Sequence, residues 1–310
     1  MQSSVLFNPH QFDLSQIDTD VVVIDTDTRG ISKDEAYQKV FEVSTNLKDY
    51  PFKYLYKKID STLRGNIGAE INAILDVFPK DFAIIAPAYP SIGRTTIDGN
   101  HYLNGIMIHQ TEIAKDPKTP VLESNIEKLL EFQTKRLSAT ISLETLRKGE
   151  EYVHSYLQKL KNDGIELVIV DIQHEGDLER LTKYVLSSRY DVLWVGSAGL
   201  AEHLSSNIDY KNEKNETKIM KKDKPVIVVA GSMSQITKEQ IDYMKGKDGV
   251  SFIELNPTLL FDKTSKKDEL ERCKLILVNE VQKGKDLVLS VGTQPEQVEK
   301  ARENGGNWVG

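Results

Sequence analysis

Along this chain, short runs of β-branched and aromatic residues alternate with stretches whose apolar positions recur every three or four residues, the spacing of an amphipathic helix. Val5-Leu6-Phe7 predicts a short first strand. Residues 20–25 contain Val21, Val22, Val23 and Ile24 in succession, which predicts a strand buried on both faces. Ser32 with Glu35 three residues on forms a capping box for the next helix. Residues 52–56 read as a strand and residues 67–75 as a helix. Further strands are predicted at 82–86, 138–143, 167–171 and 192–195, with helices near 125–133, 150–160 and 177–186. Residues 225–230, 251–255 and 286–291 are strands of a second region, with helices between and after them.

Repeated strand, polar turn and capped helix predict an α/β fold of two domains, each a mainly parallel sheet flanked by helices. Residues 209–224 hold Tyr, Lys, Asn, Glu and Thr and little apolar beyond Ile219 and Met220, the composition of a linker. The expected organisation is a first domain at 1–208, a linker at 209–224 and a second domain at 225–310.

With 310 residues and 39% hydrophobic content the chain can bury two cores. Lys+Arg 40 against Asp+Glu 47 leaves −7, so no overall basic surface invites nucleic acid and an anionic ligand must be met locally. Cys273 is the single cysteine, which excludes an internal disulfide framework and a cysteine-built zinc site. No apolar run reaches the roughly 18 residues of a membrane span, and residues 1–7 lack a signal peptide's basic start and long apolar core. The expectation is a cytoplasmic protein with no membrane partner, compatible with a homo-oligomer.

Lys57, Lys58, Ile59, Asp60, Ser61, Thr62, Leu63, Arg64, Gly65 and Asn66 concentrate the candidate chemistry. A strand entering a helix through Asp-Ser-Thr puts hydroxyls and free backbone N–H groups at a helix N-terminus, where an anion is favoured. Such residues are also ordinary caps, and Lys and Arg beside them are ordinarily solvated. Residues 87–101 form a long loop rich in Pro and Gly that carries Arg94, Thr95, Thr96, Asp98 and His101, and loops of this length inside a domain tend to be functional. A lone histidine, however, more often packs or caps than does chemistry. The small residues at 196–201 let backbone approach a ligand or let a helix pack close to the sheet. The Gly231-Ser232-Met233-Ser234 turn matches neither the P-loop nor the dinucleotide fingerprint, and no Gly-x-Gly-x-x-Gly follows any strand, which argues against a dinucleotide-dependent oxidoreductase.

Residues 58–66, Ala86-Pro87-Ala88-Tyr89-Pro90 with residues 93–101, residues 196–201 and residues 231–234 together resemble the four-carbon acid sugar kinase family, whose members include D-threonate, D-erythronate and 3-oxo-tetronate kinases. The resemblance implies a two-domain α/β kinase that transfers a phosphoryl group from ATP, with Mg²⁺, to the terminal hydroxyl of a four-carbon sugar acid. It implies a first domain that holds the sugar acid and a second that holds the nucleotide, with the linker as hinge. Carried over by motif, Arg29, Lys58, Ile59, Asp60 and Ser61 hold the sugar acid, Arg94, Asp98 and His101 lie near it, and Ser232 or Ser234 lies against ATP. The family's Asp-Asp-Leu-Thr-Gly-Ala and Gly-Gly-Asp-Thr segments have no counterpart in this sequence, which leaves the catalytic base unassigned. The expectation is a truncated chain, and the alternative reading is a sugar-acid-binding protein without catalysis.

Overall fold

The computed structural model describes residues 2–7, 19–116, 118–208, 224–232, 235–261 and 263–291. The chain divides into two compact units, 1–214 and 215–310. In order, the first unit contains β1 (Ser3–Leu6), β2 (Val21–Ile24), α1 (Lys33–Leu47), β3 (Leu55–Lys58), α2 (Ile67–Val77), β4 (Phe82–Ala86), β5 (Arg94–Ile97), β6 (Asn100–Leu103), β7 (Ile106–Met107) and α3 (Ile126–Glu131). It continues with β8 (Ser138–Ile141), α4 (Leu143–Arg147), α5 (Glu150–Asn162), β9 (Leu167–Val170), α6 (Glu175–Leu186), β10 (Val192–Gly196) and α7 (Ala198–Asn207).

Five strands form a wholly parallel sheet in the order β3-β10-β4-β9-β8. Its three central strands are buried at every residue, because helices cover both faces. Alternation along each strand sorts the side chains. Phe82, Ile84, Val168, Val170 and Trp194 meet Val153 and Leu157 of α5, Leu178 and Leu181 of α6 and Leu200 of α7. Ala83, Ile85, Leu167, Ile169, Leu193 and Val195 meet Ile67 and Ile71 of α2 and Ile126 and Leu130 of α3. The predicted capping box is formed: Ser32 accepts from the Glu35 amide, and the Glu35 carboxylate accepts from the Ser32 amide.

Two expectations are corrected. β2 is not buried on both faces: it pairs with β1 in a separate parallel ribbon, and Val23 is 43% exposed. Among the described residues no second strand pairs with it, so its hydrophobic run lacks the neighbours that enclose β4 or β10. Residues 87–101 are not an irregular loop either. Apart from a 3₁₀ turn at Pro90–Ile92, they fold into the antiparallel meander β5-β6-β7. Its two connections, Asp98-Gly99 and Asn104-Gly105, have positive φ at both residues, as two-residue hairpin turns require.

The second unit contains β11 (Ile227–Ala230), α8 (Gln235–Lys245), β12 (Val250–Leu255), α9 (Lys263–Gln282) and β13 (Asp286–Val291). Its strands form a parallel sheet in the order β11-β13-β12, with Ile253, Cys273 and Leu287 in a small core. The linker expected at 209–224 and any helix after residue 291 lie almost wholly outside the described residues, Lys224 alone excepted.

Ile84 of β4 is fully buried between two strands, so Ile84→Ala is expected to destabilise the first unit by about 2–5 kcal/mol. Urea unfolding should show a lower midpoint with an unchanged m-value.

Candidate functional site

β3 ends at Lys58, and its successor Ile59 is still held to the sheet by an amide bond of 2.9 Å to the Gly196 carbonyl. The Ile59 side chain is buried in the core, so its place in the motif is structural. A tight turn follows, closed by the Leu63 amide on the Asp60 carbonyl at 3.1 Å. Leu63 takes a left-handed φ of 62°, an unfavourable backbone for leucine that is held by burial of its side chain. Gly65, at φ 101°, then aims the chain into α2.

The polar side chains of this turn are largely spent on the turn itself. Asp60 accepts from the Thr62 hydroxyl, from Arg64 Nε at 2.8 Å and from Arg64 Nη2 at 3.3 Å. Burial pushes the Asp60 carboxyl up, but its bonds from Arg64 and Thr62 outweigh that and hold it below the usual range. Arg64 also reaches Asp116 Oδ2 at 3.1 Å. Asp116 in turn collects the Lys118 and Thr119 amides at 3.0 and 2.8 Å. Burial raises the Asp116 carboxyl, yet the Thr119, Lys118 and Arg64 donors bring it down to about 2.

The two strand lysines point different ways, as alternation requires. Lys57 pairs with the buried Glu70 of α2, which also accepts from the Thr28 hydroxyl at 2.8 Å. Lys58 is exposed and donates to the Ile59 carbonyl at 2.8 Å, with its ammonium pKa lowered by desolvation. Asn66 Nδ2 donates to the carbonyls of Thr28 and Ile31 at 3.0 and 2.9 Å, fixing the loop between them. Gly65 lies against that loop: a Cβ there would sit 3.1 Å from Arg29 Cγ and 3.3 Å from Arg29 Cα. Arg29 and the 59–66 turn are thus brought together, at the carboxyl edge of a parallel sheet, where α/β folds place their ligands.

The meander is fastened over the same edge. Thr96 exchanges backbone hydrogen bonds of 2.8 and 2.9 Å with Ile172, just after β9. The Asp171 carboxylate accepts the Asp98 and Gly99 amides, both at 2.9 Å. Asp98 itself is exposed at the hairpin tip. His101 is expected beside the substrate, but its ring is enclosed: Nε2 lies 2.8 Å from the Ser61 carbonyl and Nδ1 3.0 Å from the Thr96 hydroxyl. Burial, with a contribution from the Arg94 charge, lowers its pKa to about 4, while Asp60 acts in the opposite direction. Arg94 bonds the Ile92 carbonyl through Nη1, and its buried Nε has no hydrogen-bond partner.

Gly196 is there for close packing, since a Cβ would come within 2.8 Å of the Ala86 carbonyl and within 2.6 Å of Leu200. Ser197 caps α7 and donates to the Ala88 carbonyl, so its hydroxyl serves the fold. Ser232 lies two residues beyond the end of β11 in the second unit, and Ser234 lies outside the described residues. The prolines at 117 and 120 mark a polar turn in the sequence, but nothing there links Asp116 and Lys118 to the site; the Lys118 side chain packs on Gly30 beside Arg29, a contact only the tertiary structure shows. A cavity of about 550 Å³ lined by His154, Gln158, Ser187, Arg189 and Tyr190 opens at the other edge of the sheet, where β10 begins.

Residues 1–204 match the family described as a sugar-binding N-terminal domain, and residues 227–307 that of a nucleotide-binding C-terminal domain. The chain is 35% identical over 224 residues to the D-threonate kinase of Salmonella typhimurium, an alignment spanning 72% of this chain and 51% of that one. It is 31% identical over 254 residues to the D-erythronate kinase of Heliobacterium modesticaldum, spanning 82% and 56%. The chain thus spans about half the length of these curated relatives. A crystal structure of a Haemophilus influenzae protein superimposes with a TM-score of 0.66 at 23% identity, covering 97% of this chain and 71% of that one, and shares its fold.

The depressed Asp116 carboxyl gives a pH test. A folded pKa below the unfolded value of about 3.9 contributes stability that is present above that value and lost as pH falls through about 2. Asp116→Asn should therefore unfold more easily than wild type near neutrality, by no more than about 1 kcal/mol for so accessible a pair. Urea midpoints of the two proteins should converge as pH is lowered from about 4 towards about 2.

Proposed function

The chain belongs to the four-carbon acid sugar kinase family, and we propose that it binds a four-carbon sugar acid, threonate, erythronate or 3-oxo-tetronate, for ATP-dependent phosphorylation of the terminal hydroxyl. The observation that carries this reading is the pairing of charges at the sheet edge. Lys57 is neutralised by Glu70, and Arg64 by Asp60 and Asp116. Arg29 and Lys58 have no ion-pair partner among the described residues, and neither has Arg94. Uncompensated cations beside hydroxyls and backbone amides suit a small carboxylate that carries hydroxyl groups.

In this reading Arg29 and Lys58 hold the carboxylate, and Ser61 offers its hydroxyl to the vicinal diol. Asp60 acts mainly by shaping the turn, since Arg64 and Thr62 occupy both of its oxygens. Arg94, with its unpartnered Nε, is a further donor to the acid, and Asp98 a further acceptor. His101 lies behind Ser61, out of reach of the ligand.

ATP is assigned to the second unit, where Gly231 and Ser232 follow β11 and α8 begins at Gln235, a strand and a helix close in sequence, as phosphate sites use. Bound ATP supplies the phosphoryl group, and Mg²⁺ screens its oxygens. Among the described residues no group of three or more His, Cys, Asp or Glu is placed to hold a metal. A Mg²⁺ ion carried on phosphates needs only one or two carboxylates. Also among the described residues, no helix is long and apolar enough to cross a membrane.

Titration of the chain with D-threonate and D-erythronate, with and without ATP and Mg²⁺, tests this function. Heat of binding followed by ADP formation is expected, whereas heat without ADP would leave a binding protein. A hydrogen bond to a charged group contributes about 1.5–3 kcal/mol, so Arg29→Ala should weaken sugar-acid binding roughly 10- to 100-fold. Because Arg29 is exposed, its thermal midpoint should not move.

A further inference from the structure

We propose that His101 is a positioning residue that acts through Ser61: its imidazole locks the peptide between Ser61 and Thr62, and with it the turn that presents the Ser61 hydroxyl to the sugar acid. This rests on the reading above that Ser61 touches the substrate.

The geometry assigns the proton. A carbonyl only accepts, so the Ser61 carbonyl at 2.8 Å requires the hydrogen on Nε2. In the neutral ring Nδ1 must then accept, and the Thr96 hydroxyl at 3.0 Å is the donor. Thr96 and His101 face each other across β5 and β6, both fully buried. Thr96 is anchored in turn to Ile172 by its two backbone bonds. The chain of bonds therefore runs from the frame of the parallel sheet, through Thr96 and the imidazole, to one carbonyl oxygen of the turn.

That oxygen is decisive for the shape of the turn. Ser61 and Thr62 are the central residues between Asp60 and Leu63, and the orientation of the peptide joining them separates the two common turn types. Flipping it would force a positive φ on Thr62, which a β-branched residue resists and which Thr62 does not have here. His101 holds the same choice from outside. A ring with no exposed surface cannot touch the ligand, so its effect on binding is exerted wholly through this carbonyl.

The test compares His101→Leu, which removes the donor, with His101→Gln, whose side-chain amide can restore it. His101→Leu is expected to weaken D-threonate or D-erythronate binding about tenfold, the loss of one net hydrogen bond. His101→Gln should recover most of that, and ATP affinity should be unchanged in both. Sugar-acid affinity unaltered in His101→Leu, or equal losses for sugar acid and ATP, would overturn the proposal. Should His101→Leu fail to fold, Thr96→Val, which keeps the ring and removes the Nδ1 donor, is expected to weaken the sugar acid severalfold; wild-type affinity there would overturn the proposal. Two-bond ¹H–¹⁵N spectra of the wild type should show a proton on Nε2 and a bare Nδ1, and the opposite tautomer refutes the assignment. If the wild-type chain takes up no tetronate, the function proposed above fails by itself. The spectra, and a displaced Ser61 carbonyl ¹³C resonance in Thr96→Val, then still decide whether His101 governs the turn, an unmoved resonance refuting it.

Discussion

The ion pair between Asp60 and Arg64 is the constraint on which the rest of the site depends. Four residues apart, and with Thr62 between them, they close the strand-to-helix turn on itself. A carboxylate with its oxygens so engaged is a structural part before it is a ligand for anything else. Removing either partner would leave a partly buried charge uncompensated, which costs more than the pair contributes when whole. Because Arg64 extends to Asp116, the same pair carries the 115–119 turn, and with it Lys118, to the side of Arg29.

Around this turn the molecule repeats one device: a polar side chain at the sheet edge tethers a loop, in most cases through backbone atoms. Glu70 and Asn66 hold the Arg29 loop, Asp171 holds the Asp98-Gly99 turn, and His101 holds Ser61. Burial, with the Asp98 charge beside it, raises the Asp171 carboxyl despite its amide donors. Among these groups, the side chain of Arg29 is left free of such duties, as a preorganised anion site would require.

Much of this was legible in the chain. Runs such as residues 82–86, 167–171 and 192–195 can be little other than buried parallel strands, and the capping box at Ser32 marks its helix without ambiguity. β3 lies later than residues 52–56 because two lysines look unlike strand residues; Lys57 belongs there only because Glu70 meets it. β2 has the composition of a central strand and the surroundings of an edge, a difference that composition does not carry. The meander was missed although Asp98-Gly99 and Asn104-Gly105 are strong hairpin signals, since the prolines and glycines before them favoured a loop. At the sheet edge the sequence marks the 58–66 motif, but not how its side chains are engaged. Whether Asp60 faces Arg64 or solvent, and whether His101 faces a ligand or a carbonyl, depends on contacts 40 or more residues away along the chain for His101 and only four for Asp60.

On the proposed function, Arg29, Lys58 and Ser61 converge on one sugar acid at the carboxyl edge of the first sheet, the two cations on its carboxylate and Ser61 on a hydroxyl. A crystal structure of the chain grown with D-threonate or D-erythronate tests it most directly. The acid's carboxylate is expected within hydrogen-bond distance of Arg29 and Lys58, with a hydroxyl on Ser61 and Asp60 still closed on Arg64. A sugar acid seated instead at the opposite edge, among His154, Gln158 and Arg189, would contradict it.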